Sequence, residues 1–308
     1  MASFNPMSFT ALYSRDDAQT IADDANYGYV PQESVAILFI VLFGISTILH
    51  IGQAIHYRMW WLFPTACLCG VGEIIGWSGR IWSSISPTLK DPFLMQITTT
   101  IISPTPLIAV NFILLTRIIL RLGSQYSWIT PHWYSIVFVS CDLIALVIQG
   151  IGGGMASSAN DLANANIGAH VMLGGIVFQF VAIVVYTLLS AQYLWRYTKN
   201  KPVRSTSSIR ATMDKNLKIM ICALVFSTIV LFIRSIYRII ELATGWDGRI
   251  IHTEVYFNVL DGGMVVLAIF TMNFFHPGMF LESTRAAEHN ELKSVKIATS
   301  SSSIDGSV

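Results

Sequence analysis

Long apolar runs recur along this chain at close intervals, and no soluble core accounts for them. Of 308 residues, 53% are hydrophobic and only 12% charged, against about 25% charged in soluble domains. Spanning a bilayer takes about 20 mostly apolar residues. Seven runs qualify: Ser34–Ile55, Trp60–Ser84, Pro92–Arg117, His132–Gly154, Gly168–Leu194, Leu217–Leu242 and Glu254–Phe275. The expected fold is all-α, a polytopic protein of seven transmembrane helices. A polar extracellular arm (1–33) precedes the transmembrane domain (34–278), and a disordered cytosolic tail (279–308) follows it.

Basic residues orient these helices. The connections after the first, third and fifth runs hold Arg58; Arg117 and Arg121; and Arg196, Lys199, Lys201, Arg204, Arg210, Lys215 and Lys218. Those after the second, fourth and sixth hold only Lys90 and Arg249. The positive-inside rule puts the N-terminus outside and the C-terminus in the cytosol. Trp60, Trp61, Trp82, Trp133 and Trp195 fall near run ends, as an aromatic belt requires. The first 33 residues lack the basic and apolar regions of a cleavable signal.

Against this apolar background stand eight charges: Glu73, Arg80, Asp142, Arg234, Arg238, Glu241, Glu254 and Asp261. A charge at bilayer depth costs roughly 2.5–3.5 kcal/mol on insertion scales and is a functional candidate by default. Glu73/Arg80, Asp142/Gln149, Arg234/Glu241 and Glu254/Asp261 are each seven apart, so each pair shares a helix face. Arg238 completes an Arg-Arg-Glu strip. Four polar stripes turned inward, joined by Gln96 and Gln179, are expected to line one cavity in the outer and middle layers, above a mostly apolar inner half. Five acids against three arginines leave two negative charges without a cationic partner. Ion pairs serving only as packing glue are the plain alternative; eight charges exceed what glue needs, since buried pairs stabilise weakly.

Two backbone features stand out. Pro104 and Pro106 fall in the middle of the third run and kink it. Gly150 and Gly154 bound a glycine run closing the fourth, read as close packing or a hinge.

Several function classes are not expected. Net charge is +1, which gives no nucleic-acid partner. The four cysteines all lie in apolar runs, so neither a disulfide framework nor a metal pair is expected. No two of the seven histidines are four apart, as a zinc hydrolase would need; histidines at helix ends read as interfacial. No catalytic residue, metal or cofactor is expected, and no nucleotide-binding loop is present.

In order along the chain, the polar residues form a recognisable set. Glu73, Gly76 and Arg80 fit a Glu-x-x-Gly-Tyr-x-x-Arg pattern with Trp77 in the tyrosine place. Gln96, Pro104, Ala109 and Arg117 follow, with Phe112 for tyrosine; then Asp142, Gln149 and Gly152; then Gly168, Gly175 and Gln179. Arg234, Tyr237, Arg238 and Glu241 come next, and Glu254, Asp261 and His276-Pro277-Gly278 close the set, with Asn258 for tyrosine. Over roughly residues 45–280 the chain resembles the fungal RTA-like family of lipid-translocating exporters. The resemblance implies export or flip-flop of amphipathic lipids, such as sphingoid long-chain bases, across the plasma membrane, with resistance to toxic lipids as the outcome. The implied partners are membrane lipids, with a cytosolic partner at the loop 196–218 as a further expectation. A seven-helix receptor or sensor for an amphipathic ligand is the alternative; the Asp-Arg-Tyr signature is absent where Thr116-Arg117-Ile118 stands.

Overall fold

The computed structural model describes residues 25–159, 161–203, 212–245 and 248–282. Residues 1–24 of the expected arm, 204–211 of the expected partner loop and 283–308 of the expected tail lie outside the described residues. All regular structure among the described residues is helical. That follows from the solvent: in lipid the backbone must satisfy its own hydrogen bonds, and a helix does so within one segment.

In chain order the helices are α1 (Glu33–His56), α2 (Leu68–Ile85), α3 (Lys90–Ile102), α4 (Thr105–Leu122), α5 (Pro131–Ser158), α6 (Leu162–Thr198), α7 (Lys215–Ala243), α8 (Glu254–Phe257) and α9 (Met264–Phe274). A 3₁₀ turn (Trp60–Leu62) and a π turn (Phe63–Cys67) lead into α2, and a second π turn (Asn258–Gly263) joins α8 to α9.

Six rods are long and apolar enough to cross a membrane: α1, α3 with α4, α5, α6, α7, and α8 through Leu281. Their outer faces carry aliphatic side chains without protein cover. Ile48 on α1 and Leu143, Val147 and Ile151 on α5 are each more than half exposed, as a lipid-facing mantle requires. The α3–α4 rod is central: 78% of its apolar window is buried, against 33–44% for the other five.

The second expected run, Trp60–Ser84, is helical but not among the six. The reason is its position. α2 packs on α1 and α3, and it carries Glu73, Arg80 and Ser83 fully inside. A helix surrounded by protein needs little apolar surface of its own. Gly79 shows how close the approach is: a Cβ there would sit 3.0 Å from the Pro92 carbonyl and 3.1 Å from the Gln96 nitrogen of α3.

The expected kink is a break. Ser103 and Pro104 separate α3 from α4, with Pro104 at φ −75°, ψ −12°. Close packing of α5 falls elsewhere than expected. Cβ atoms at Gly150 and Gly154 would meet nothing within 4 Å. Gly152 and Gly168 instead form the α5–α6 crossing: a Cβ on Gly168 would lie 2.4 Å from the Ala156 nitrogen, and one on Gly152 2.8 Å from the Gly168 carbonyl. The close contact therefore uses the face between the two positions named from the sequence.

The half of the bundle expected to face the cytosol is less apolar than expected. Between α1 and the last rod, His50 meets the Ile269 carbonyl at 3.2 Å, Gln53 donates to the Asn273 carbonyl at 2.9 Å, and Asn273 donates to Ser46. His50 and His276 are fully buried, so these two are packing residues rather than interfacial ones. Their positions on one seam emerge only when α1 meets α9.

Candidate functional site

The four polar stripes do not merge into one set. They form two groups of different character.

The first group is an ion-pair knot among α2, α7 and the π turn after α8. Its centre is Asp261. Arg238 donates to it from Nε at 2.7 Å and from Nη2 at 2.6 Å, and Arg234 Nε lies 2.9 Å away. Arg238 Nη1 reaches Glu241 at 2.7 Å, and the Tyr237 hydroxyl donates to the same carboxylate at 2.8 Å. The π turn places Asp261: the widened turn presents its carboxylate to both arginines. Such turns often mark functional sites.

The break in the third rod feeds this knot. Pro104 has no N–H, so the Thr100 carbonyl four residues back loses its helical donor. Arg234 Nη2 supplies the replacement at 2.6 Å, while Arg238 Nη2 donates to the Thr100 hydroxyl at 2.7 Å. One threonine thus receives both α7 arginines.

At the end of the knot nearest residues 25–32, Arg80 Nη2 donates to Glu254 at 3.1 Å and to the Tyr29 hydroxyl at 2.9 Å. Its guanidinium lies over Phe257 (4.7 Å to the ring centre) and near the rings of Tyr27, Tyr29 and Trp77, a strong cation–π setting. The Tyr27 hydroxyl donates to Gln96 at 2.7 Å, and Gln32 N donates to Glu254 at 3.0 Å. Burial pushes both phenols above their ordinary pKa, so they stay protonated. Tyr27 and Tyr29 were missed from the sequence because the arm reads as solvated. The signal was Asn26-Tyr27-Gly28-Tyr29, an aromatic pair immediately before the first span.

In the knot, Arg80, Arg234 and Arg238 meet Glu254, Asp261 and Glu241. Glu73 is the acid left over. It is fully buried, and neither carboxylate oxygen has a hydrogen-bond partner.

The second group joins α4, α5 and α6 and holds no arginine. Gln179 Nε2 donates to Thr105 at 3.2 Å and sits 3.4 Å from Asp142 Oδ1; Gln149 Nε2 donates to Gln179 Oε1 at 3.0 Å. Asp142 is 3% exposed, and its Oδ2 has no partner. The two negative charges in excess thus belong to particular residues, Glu73 and Asp142. Buried acceptors without partners are costly and rare enough to demand a reason.

Two of the three tyrosine-place residues are packing groups. Trp77 stacks on Phe39 with ring centres 4.0 Å apart, and Phe112 packs on Phe138 and Tyr186. Among the described residues, no three His, Cys, Asp or Glu side chains converge as metal ligands.

Residues 66–284 match the family described as RTA1 like protein. The sphingoid long-chain base transporter RSB1 of Saccharomyces cerevisiae is 28% identical over 286 residues, covering 82% of this chain and 73% of that protein. Protein RTA1 of the same species is 28% identical over 261 residues, covering 77% of this chain and 80% of that protein. A lipid-translocating exporter-like protein RTA1 of Leptosphaeria maculans is 24% identical over 279 residues, covering 83% of this chain and 51% of that protein. No solved structure matches the chain.

Proposed function

Because the chain belongs to the RTA1-like family, we propose that it is a lipid transporter that exports or flips amphipathic lipids, with sphingoid long-chain bases as the substrate class. Two relatives carry names that state lipid transport or translocation. A long-chain base presents a cationic amine and hydroxyls on a hydrocarbon chain. The observation that carries the reading is Asp142: a buried carboxylate with one free oxygen, flanked by the amides of Gln149 and Gln179 and without an arginine. An ammonium head supplies the missing charge, and the amides and Thr105 serve its hydroxyls. The role is one of transport rather than catalysis.

In this reading the chain crosses the membrane seven times, N-terminus outside, with Trp60–Ser84 as the second crossing. Its low apolarity follows from its burial between α1 and α3. Glu73 and Asp142 then lie near mid-membrane, and Tyr27 and Tyr29 close the outer side. Residence in the plasma membrane fits export.

The test is translocation of a long-chain base by purified protein in liposomes. Wild type is expected to move the base and Asp142→Asn to abolish movement with the fold intact. Equal rates overturn the reading.

A further inference from the structure

Inward of Gln179, an elongated groove of about 180 Å³ runs between α4, α6 and α7. Leu115, Ile118, Leu194, Ile221, Leu224 and Val225 make up most of its walls. The hydroxyls along it point away to their own helices: Thr187 donates to the Ile183 carbonyl, Ser190 to the Tyr186 carbonyl and Thr228 to the Leu224 carbonyl. The groove thus offers hydrocarbon alone. Voids of about 150 Å³ with such walls stay dry and take apolar guests.

Its mouth lies on the face of the bundle that meets lipid. Val225 and Ile229 are 45% and 52% exposed there, and Ala191 lies at the same rim. What surrounds that mouth in a bilayer is acyl chain. The upper end of the groove leads toward the Asp142 group. A smaller void of about 10 Å³ lies past Tyr186 and Thr228, against Ile108 and Ile183. One turn above those two residues stand Thr105 and Gln179. Asn111 forms the neck between void and groove: it donates to Thr228 at 3.4 Å, and its carbonyl accepts from Tyr186 at 3.0 Å. From Gln179 to Ser190 the rise along α6 is about 16 Å, close to half of the ~30 Å hydrocarbon core that one leaflet fills.

Resting on the transport reading above, we propose that this groove is the tail subsite: it takes the single hydrocarbon chain of an amphipathic lipid whose cationic head sits at Asp142, Gln149 and Gln179. The bound lipid then has its head outward and its tail toward the cytosol. That is the head-to-tail direction of a lipid in the outer leaflet, taken up with the head at mid-membrane.

The test uses a long-chain base bearing a photoactivatable diazirine near the end of its chain, with the full-length protein in liposomes. Adducts are expected in the peptides covering 186–194 and 221–229. Ala191→Phe, at the exposed rim, is expected to fill the groove and lower that labelling about tenfold. Leu188→Phe, at a 65% exposed position on the same helix outside the groove, leaves it unchanged. Labelling spread evenly over the lipid-facing surface, or unaffected by Ala191→Phe, overturns the proposal. Translocation in the same liposomes separates the two readings. If it depends on Asp142 but labelling misses the groove, only the tail subsite fails. If wild type moves no base, the transport reading fails, and the labelling still decides whether the groove takes a chain.

Discussion

The Arg-rich knot and the Asp142 group lie in the same bundle and are built on opposite terms. In the knot, three arginines meet three carboxylates, and further N–H groups of their guanidinium ends go to a threonine, a tyrosine and a freed carbonyl. What capacity remains is at the Glu73 carboxylate and Arg80 Nε. In the Asp142 group, two amides and a hydroxyl surround a carboxylate that keeps a free oxygen. The difference teaches that buried charge in a membrane protein does two jobs, and that the number of cations present separates them. On the proposed transport reading, the closed set holds helices in place and the open set awaits a partner.

Four substitutions break or sharpen that contrast. The largest effect is expected from Asp261→Ala, which leaves Arg234 and Arg238 buried without their shared acceptor. A loss of about 3–5 kcal/mol should appear as a fall in folded yield and in the thermal midpoint of detergent-purified protein; wild-type stability would deny the knot its structural role. Next is Gly168→Leu at the crossing that positions Gln149 against Gln179. Forcing a side chain against backbone 2.4 Å away should cost at least about 1–3 kcal/mol, read by the same midpoint, whereas Gly150→Leu, facing open space, should not move it. Tyr27→Phe removes one buried hydrogen bond to Gln96, worth about 1 kcal/mol, and should loosen the arm, read as faster proteolysis near residues 25–32. Smallest in stability is Asp142→Asn, expected within about 0.5 kcal/mol of wild type, as for a change that breaks no pair, while translocation is lost. A large destabilisation there would class Asp142 with the knot.

Much of this was legible in the sequence, and what was not has a common physical cause. The helical rods follow from run length, and the stripes from residues seven apart, because both are properties of one helix. Which stripe faces which is a property of packing. Asp142 belongs with Gln179 and Thr105 rather than with the arginines because α5 crosses α6 at Gly152 and Gly168, and spacing within one helix carries no such information. Trp60–Ser84 qualifies as a span on the same terms as the other six runs, and its polarity makes sense only once α1 and α3 cover it. Tyr27 and Tyr29 were hidden by their acidic, polar surroundings. The groove between α4, α6 and α7 was invisible because its walls are the ordinary aliphatic residues of any span.

The break at Pro104 ties two distant positions to one carbonyl. A proline there leaves the Thr100 carbonyl without a donor, and Arg234, 134 residues away, supplies one. A residue with an N–H at 104 would compete with Arg234 for that carbonyl, and loss of Arg234 would strand it. Changes at 104 and 234 should therefore be non-additive, each altering what the other can tolerate.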